Sequence, residues 1–218
     1  MDTSPHLLII DDHPMIRTAL AAALRERFPK LRLETCIDAE SGFALLKSEL
    51  RKKKDQAWWV LMDLGLPGIG GLEAITQALA LGALVKVITI SGNDDELQVG
   101  SCFGAGASAF ISKAAPLEDT VTIVAQAVEG NLIKGTWLSA SGLADSSALN
   151  QIALTARQLQ VLGMICQGMS NRDIADSLGI SEITAKSHLG SIFRELKVNS
   201  RTQAVLMAQK LGLFVNNN

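Results

Sequence analysis

The chain has 218 residues, 48% of them hydrophobic, and a formal net charge of −2, which excludes a disordered chain and predicts one or two globular domains. Its apolar runs fall far short of the roughly 18 residues that a membrane-spanning helix needs, so the mean hydropathy of +0.24 reads as core rather than membrane. Three scattered cysteines, Cys36, Cys102 and Cys166, form neither a CxxC pair nor an even framework, and Met1 to His6 lacks the pattern of a secretory leader, so a reducing cytoplasm is the expected compartment.

The small net charge conceals an asymmetry. Residues 1–130 carry 12 Lys+Arg against 17 Asp+Glu, whereas residues 150–218 carry 7 against 4. An acidic front is thus joined to a basic back. The join, Gly130 to Asn150, is rich in Gly, Ser and small residues and has no sustained period, as expected of a linker. The expected organisation is a domain at 1–130, a linker at 131–150 and a second domain at 151–218.

In the front domain, short apolar runs of strand length recur at Leu7 to Ile10, Leu31 to Cys36, Ala57 to Met62, Val85 to Ile90 and Ala109 to Ile111. Between them lie helically spaced apolar residues, such as Ile16, Leu20, Ala23 and Leu24, then Phe43, Leu46 and Leu50, with Pro29, Gly82 and Gly130 at the expected stops. Runs that are apolar on nearly every residue suit strands buried on both faces. The prediction is an α/β fold, a doubly wound five-stranded parallel sheet.

Ligands of such folds bind outside the carboxyl ends of the strands. The first strand ends in Asp11-Asp12, the third in Asp63, the fourth in Thr89 and Ser91, and the fifth in Lys113. Close carboxylates repel unless they share a cation, and hard oxygen ligands at an open site suit Mg²⁺. One carboxylate could then act as a nucleophile toward a phosphoryl group, with an ammonium and a hydroxyl binding its oxygens.

Other features of this half take plainer readings. The run Arg51 to Lys54 reads as a solvated helix end, and Pro67 to Gly71 reads as a turn, since it holds neither GxGxxG nor GKS/T. His6 and His13 have no metal-ligand partner at a standard spacing. Trp58-Trp59 is expected in the core.

LLIIDDH at 7–13, VLMDLGLPGIGG at 60–71, VITISG at 87–92 and GASAFISK at 106–113 resemble, in order, the receiver domain of two-component response regulators, whose fold is flavodoxin-like. The resemblance implies that Asp63 accepts a phosphoryl group from a sensor histidine kinase. It further implies that Asp11, Asp12 and Asp63 hold Mg²⁺ with the Gly65 carbonyl, that Lys113 and Ser91 engage the phosphoryl group, and that Ser91 and Phe110 form the switch. The chain contains no Tyr, so Phe110 lacks the hydroxyl many receivers carry there, and the Pro usually beside the Lys is displaced to Pro116.

From Leu154 onward helical spacing prevails, with N-terminal signals at Thr155 with Gln158, Ser170 with Asp173, Ser181, and Ser200 with Gln203. Four helices are expected, near 156–167, 171–178, 182–196 and 201–211. Gly179, between the second and third, can take the positive φ a helix-turn-helix requires, and Ala175 is small where the two helices would cross. Ala185, Leu189, Ile192 and Leu196 form the expected buried stripe of the third helix, leaving Lys186, Ser187, Gly190 and Arg194 outward. A four-helix protein-binding module is the plainer alternative.

The segment from Leu154 to Val205 closely resembles the LuxR-type DNA-binding domain, so the whole chain looks like a response regulator of the NarL/FixJ class. The resemblance implies an all-α four-helix unit binding double-stranded DNA, in which Lys186, Ser187 and Gly190 sit at base-reading positions. Asn171, Ser181, Thr184 and Arg201 match positions that hold phosphates. Gln158 stands where Glu is usual, and Gly190 where many relatives carry a longer side chain. The function so implied is a transcription factor, not a turnover enzyme, occluded by its acidic domain until phosphorylation of Asp63 releases a homodimer. Two other readings stand beside it: a Mg²⁺-dependent phosphatase, for which Gly65 sits where a second carboxylate would be needed, and a DNA-binding regulator gated without phosphorylation.

Overall fold

A computed structural model describes residues 6–53, 55–145 and 154–210. Strands and helices alternate through the front domain: β1 (His6–Ile10), α1 (Pro14–Arg27), β2 (Leu33–Cys36), α2 (Ala39–Lys52), β3 (Trp58–Asp63), α3 (Gly71–Ala80), β4 (Val85–Ser91), α4 (Glu96–Gly104), β5 (Ala109–Ser112) and α5 (Leu117–Val128). The strand order is β2-β1-β3-β4-β5, all parallel. Alternate residues of each strand feed opposite faces. Leu7, Ile9, Leu61, Ile88, Ile90 and Ile111 pack with Leu20 and Leu24 of α1 and Val124 of α5. Leu8, Ile10, Val60, Met62, Val87 and Phe110 pack with Leu46 of α2, Ile75 of α3 and Val99 of α4. The switch point of the winding lies between β1 and β3, which brings the residues ending those strands to one crevice.

The sheet has seven strands rather than the expected five. Part of the expected linker folds onto it: β6 (Thr136–Ser139) pairs parallel with β5, and β7 (Gly142–Ala144) pairs antiparallel with β6. These strands are too short for periodicity to register, and the Gly- and Ser-rich composition that suggested a linker supplies the hairpin. Gly142 takes φ +116°, open to Gly at no steric cost, and the Ser139 hydroxyl donates to its carbonyl at 2.8 Å. Residues 146–150 of the expected linker lie outside the described residues, as does Lys54 of the basic run; Arg51 to Lys53 are exposed, and Lys52 pairs with Glu49 at 2.8 Å.

Trp137 of β6 stands beside Phe110 of β5 and packs on the same core, its indole Nε1 buried without a hydrogen bond among the described residues. Trp137→Ala is expected to destabilise this domain by about 2 kcal/mol, below the range for a wholly buried Trp. Trp137→Phe, which removes the orphaned donor but keeps most of the packing, should cost much less. Urea unfolding followed by far-UV circular dichroism checks both.

Four helices follow: α6 (Ala156–Cys166), α7 (Asn171–Leu178), α8 (Glu182–Glu195) and α9 (Arg201–Lys210). Thr155–Gln158 and Ser170–Asp173 close reciprocal capping boxes, and the Ser181 hydroxyl accepts from the Thr184 amide at 3.1 Å. Gly179 ends α7 in the left-handed region, φ +63°. Ala185, Leu189, Ile192 and Leu196 are buried as the stripe predicted. The two domains meet where α3 faces α6 across a cleft of about 560 Å³, lined in part by Glu73, Gln77, Arg157 and Gln160. No described helix is long and apolar enough to cross a membrane, and the three cysteines are unpaired.

Candidate functional site

β1 runs straight into Asp11, which is 1% exposed, and β3 ends in Asp63, which is 2% exposed. Lys113 follows β5 and reaches back over the sheet edge, its Nζ 2.6 Å from Asp63 Oδ2 and 3.1 Å from Asp11 Oδ2. The second contact is an ion pair only: Asp11 Oδ2 is buried with no hydrogen bond among the described residues. Asp63 Oδ1 accepts from the Gly65 amide at 2.9 Å. Burial pushes the Asp63 carboxyl above the usual carboxylate range and the charge of Asp11 adds to this, while the Lys113 ammonium and the Gly65 amide oppose it. Asp12 is exposed at the mouth.

His13 also belongs here, contrary to the expectation from spacing. Its Nδ1 lies 2.6 Å from Asp12 Oδ1, 3.3 Å from Asp11 Oδ1 and 3.7 Å from Asp63 Oδ2. Sequence spacing finds ligands on one local element, whereas the partners of His13 include Asp63 on another strand. His6, by contrast, stacks edge-on against Trp58.

The donors of Asp11, Asp12, His13 and Asp63 all lie within 4.8 Å of one another. Three carboxylates, one of them carrying a buried oxygen without a hydrogen bond, make a donor set of the kind a hard divalent cation fits.

Ser91 ends β4 next to β3, its carbonyl accepting from the Lys113 amide at 2.7 Å. The Ser91 hydroxyl oxygen accepts from the Asn93 amide at 3.2 Å and from Gln98 Nε2 at 3.4 Å. Thr89, grouped with it by sequence, spends its hydroxyl on the Ala109 carbonyl inside the sheet. Phe110 is fully buried.

In the helical domain, Lys186, Ser187 and Gly190 lie exposed along one face of α8, and Lys186 pairs with Glu182 at 3.3 Å. That face is open, with the Lys186 side chain 63% exposed, so the described part of the front domain does not cover it as occlusion would require. The interdomain contact runs through α6 instead. Asn171 opens α7, and the Ser181 and Thr184 hydroxyls lie 2.8 Å apart at the head of α8. Arg201, expected at a phosphate, also has a partner within the domain. Its Nη2 donates to the carbonyls of Ile165 and Met169, so it clamps α9 to the end of α6.

Residues 7–125 match the response regulator receiver domain, and residues 152–208 match the luxR family of bacterial regulatory proteins. The glycerol metabolism activator of Pseudomonas putida is 30% identical over 213 residues, covering 93% of this chain and 94% of its own length. The transcriptional regulatory protein LiaR of Bacillus subtilis (strain 168) is 32% identical over 210 residues, covering 94% of this chain and 96% of its own. The solved structure of RcsB from Salmonella enterica serovar Typhimurium, bound to promoter rprA in the presence of the phosphomimetic BeF3−, aligns over 94% of this chain and 98% of its own. The TM-score is 0.57, and at 17% identity the likeness is one of fold.

A receiver domain followed by a LuxR-type helix-turn-helix defines a two-component response regulator. The chain belongs to the NarL/FixJ class of these proteins and is a DNA-binding regulator of transcription.

Proposed function

We propose that Asp63 is the phosphoacceptor of a sensor histidine kinase and that its phosphorylation drives the protein to a homodimer that binds double-stranded DNA. The observation that carries this is the buried Asp63 carboxylate, held between the Lys113 ammonium and the Gly65 amide beside a cluster of acidic donors. Asp63 attacks phosphorus, an oxygen–phosphorus bond forms as the phosphohistidine nitrogen–phosphorus bond breaks, and the kinase imidazole leaves. Mg²⁺, held by Asp11, Asp12, Asp63 and the Gly65 carbonyl, would neutralise charge on the carboxylates and on the phosphoryl oxygens. Lys113 pairs with the acquired charge. The Ser91 hydroxyl already accepts twice, which leaves its proton for a phosphoryl oxygen, and Phe110 repacks as Ser91 moves. Capture happens once per cycle, without turnover.

On the DNA, Lys186, Ser187 and Gly190 face the bases, while Asn171, Ser181 and Thr184 position the backbone, the division of labour seen in such interfaces. A regulator of this kind works in the cytoplasm. Its functional units are the receiver at 1–130, extended by the β6–β7 hairpin of the 131–150 segment, and the DNA module at 151–218. Because the reading face of α8 is already open, dimerisation rather than uncovering is the step that phosphorylation controls.

Treatment with acetyl phosphate and Mg²⁺ should add the mass of one phosphoryl group to the wild-type chain and none to Asp63→Asn. Phosphodonor should likewise sharpen DNA binding by the wild type alone. Equal mass gain in both proteins would refute the assignment. Asp63→Asn should also raise the melting temperature in EDTA, because it replaces a carboxylate that burial disfavours with a neutral isostere.

A further inference from the structure

Ile183 is 81% exposed. A single exposed apolar side chain is ordinary, but the position of this one is not. Ile183 lies in the first turn of α8, three, four and seven residues before Lys186, Ser187 and Gly190, so all four share one stripe of the helix. The buried stripe of Ala185, Leu189 and Ile192 lies opposite. The helix therefore presents an ammonium, a hydroxyl and an sec-butyl group together on the face that meets DNA.

We propose that Ile183 reads thymine, through contact with its C5-methyl group in the major groove. The inference rests on the DNA-binding function of this domain and adds a specificity determinant to it. Thymine is the one base that shows a methyl in that groove, and apolar side chains recognise it by contact. Recognition helices of this motif touch base edges through their N-terminal residues, where Ile183 sits. A β-branched side chain in a helix is held at χ1, so little rotamer freedom is lost when it presses on the base. Two turns along, nothing lies within 4 Å of where a Gly190 Cβ would be, so no long side chain there holds the helix off the groove floor. Lys186 and Ser187 read hydrogen-bonding edges, whereas Ile183 supplies the apolar contact that neither can make.

The test uses the full-length chain with Mg²⁺ and beryllofluoride and a duplex selected on it from a random library. Each thymine of that duplex is replaced in turn by deoxyuridine, which removes only the methyl. For the wild type, one replacement in each half-site should weaken binding about fourfold, the equivalent of exposing one buried methyl. Ile183→Ala should bind the thymine duplex more weakly and be indifferent to that replacement, with an unchanged melting temperature because the side chain is exposed. Wild-type indifference to every deoxyuridine, or a penalty that persists in Ile183→Ala, would overturn the inference while leaving DNA binding intact. Failure of the wild type to select any duplex would overturn the DNA-binding reading and the inference with it.

Discussion

Lys113→Met is expected to destabilise the receiver by about 3–5 kcal/mol near neutral pH in EDTA, the usual cost of leaving a buried charge without its partner. Two carboxylates depend on this ammonium. Asp63 Oδ2 has it at 2.6 Å, and Asp11 Oδ2, buried without a hydrogen bond, has it at 3.1 Å. Met preserves much of the aliphatic packing, so the loss is electrostatic.

Its pH dependence follows from Asp63. That carboxyl is already raised by burial, and Lys113 is the largest influence opposing the rise, so the variant raises it further. A carboxyl whose folded pKa exceeds its unfolded value, about 3.9, destabilises the fold at higher pH. The penalty grows as pH climbs through the folded pKa and vanishes below the unfolded one. The stability gap between wild type and Lys113→Met should therefore narrow as pH is lowered from neutral toward the unfolded carboxyl pKa, and adding Mg²⁺ at fixed pH should narrow it as well. Urea unfolding at each condition measures this. A gap that ignores both pH and Mg²⁺ would mean that lost packing, not uncompensated charge, is the cause.

The receiver was legible because its chemistry sits at the ends of strands that are apolar almost throughout. Leu7 to Ile10 leads into Asp11, and Val60 to Met62 leads into Asp63, so predicting the strands also predicts the crevice. The helix-turn-helix was legible for a different reason: Ser170, Ser181 and Gly179 mark helix ends by local backbone chemistry that operates regardless of what packs around it. What escaped detection was set by tertiary contact. β6 and β7 exist because β5 offers an edge to pair with, and four residues such as Thr136–Ser139 carry no period of their own. His13 meets Asp11 and Asp12 locally, but it reaches Asp63 only when β1 and β3 lie side by side. Thr89 and Ser91 looked alike in sequence and share a face of β4, yet the Thr89 hydroxyl is spent on the Ala109 carbonyl, whereas Ser91, the last residue of the strand, accepts from the Asn93 amide of the loop beyond.

Arg201 has two candidate roles, and its substitution separates them. As a phosphate-holding cation it would contribute to the salt dependence of DNA binding. As placed, its Nη2 binds the Ile165 carbonyl in the last turn of α6 and the Met169 carbonyl just beyond it, which puts a cation at the negative end of that helix. Arg201→Ala should therefore destabilise the DNA-binding module by about 2–3 kcal/mol, in the range for hydrogen bonds from a charged donor. Arg201→Lys should recover little, since an ammonium lacks the planar fork that spans two carbonyls. The logarithmic salt slope of DNA binding should stay at its wild-type value in both variants, measured below their melting temperatures. A slope shallower by about one in Arg201→Ala, with stability unchanged, would return Arg201 to the phosphate backbone.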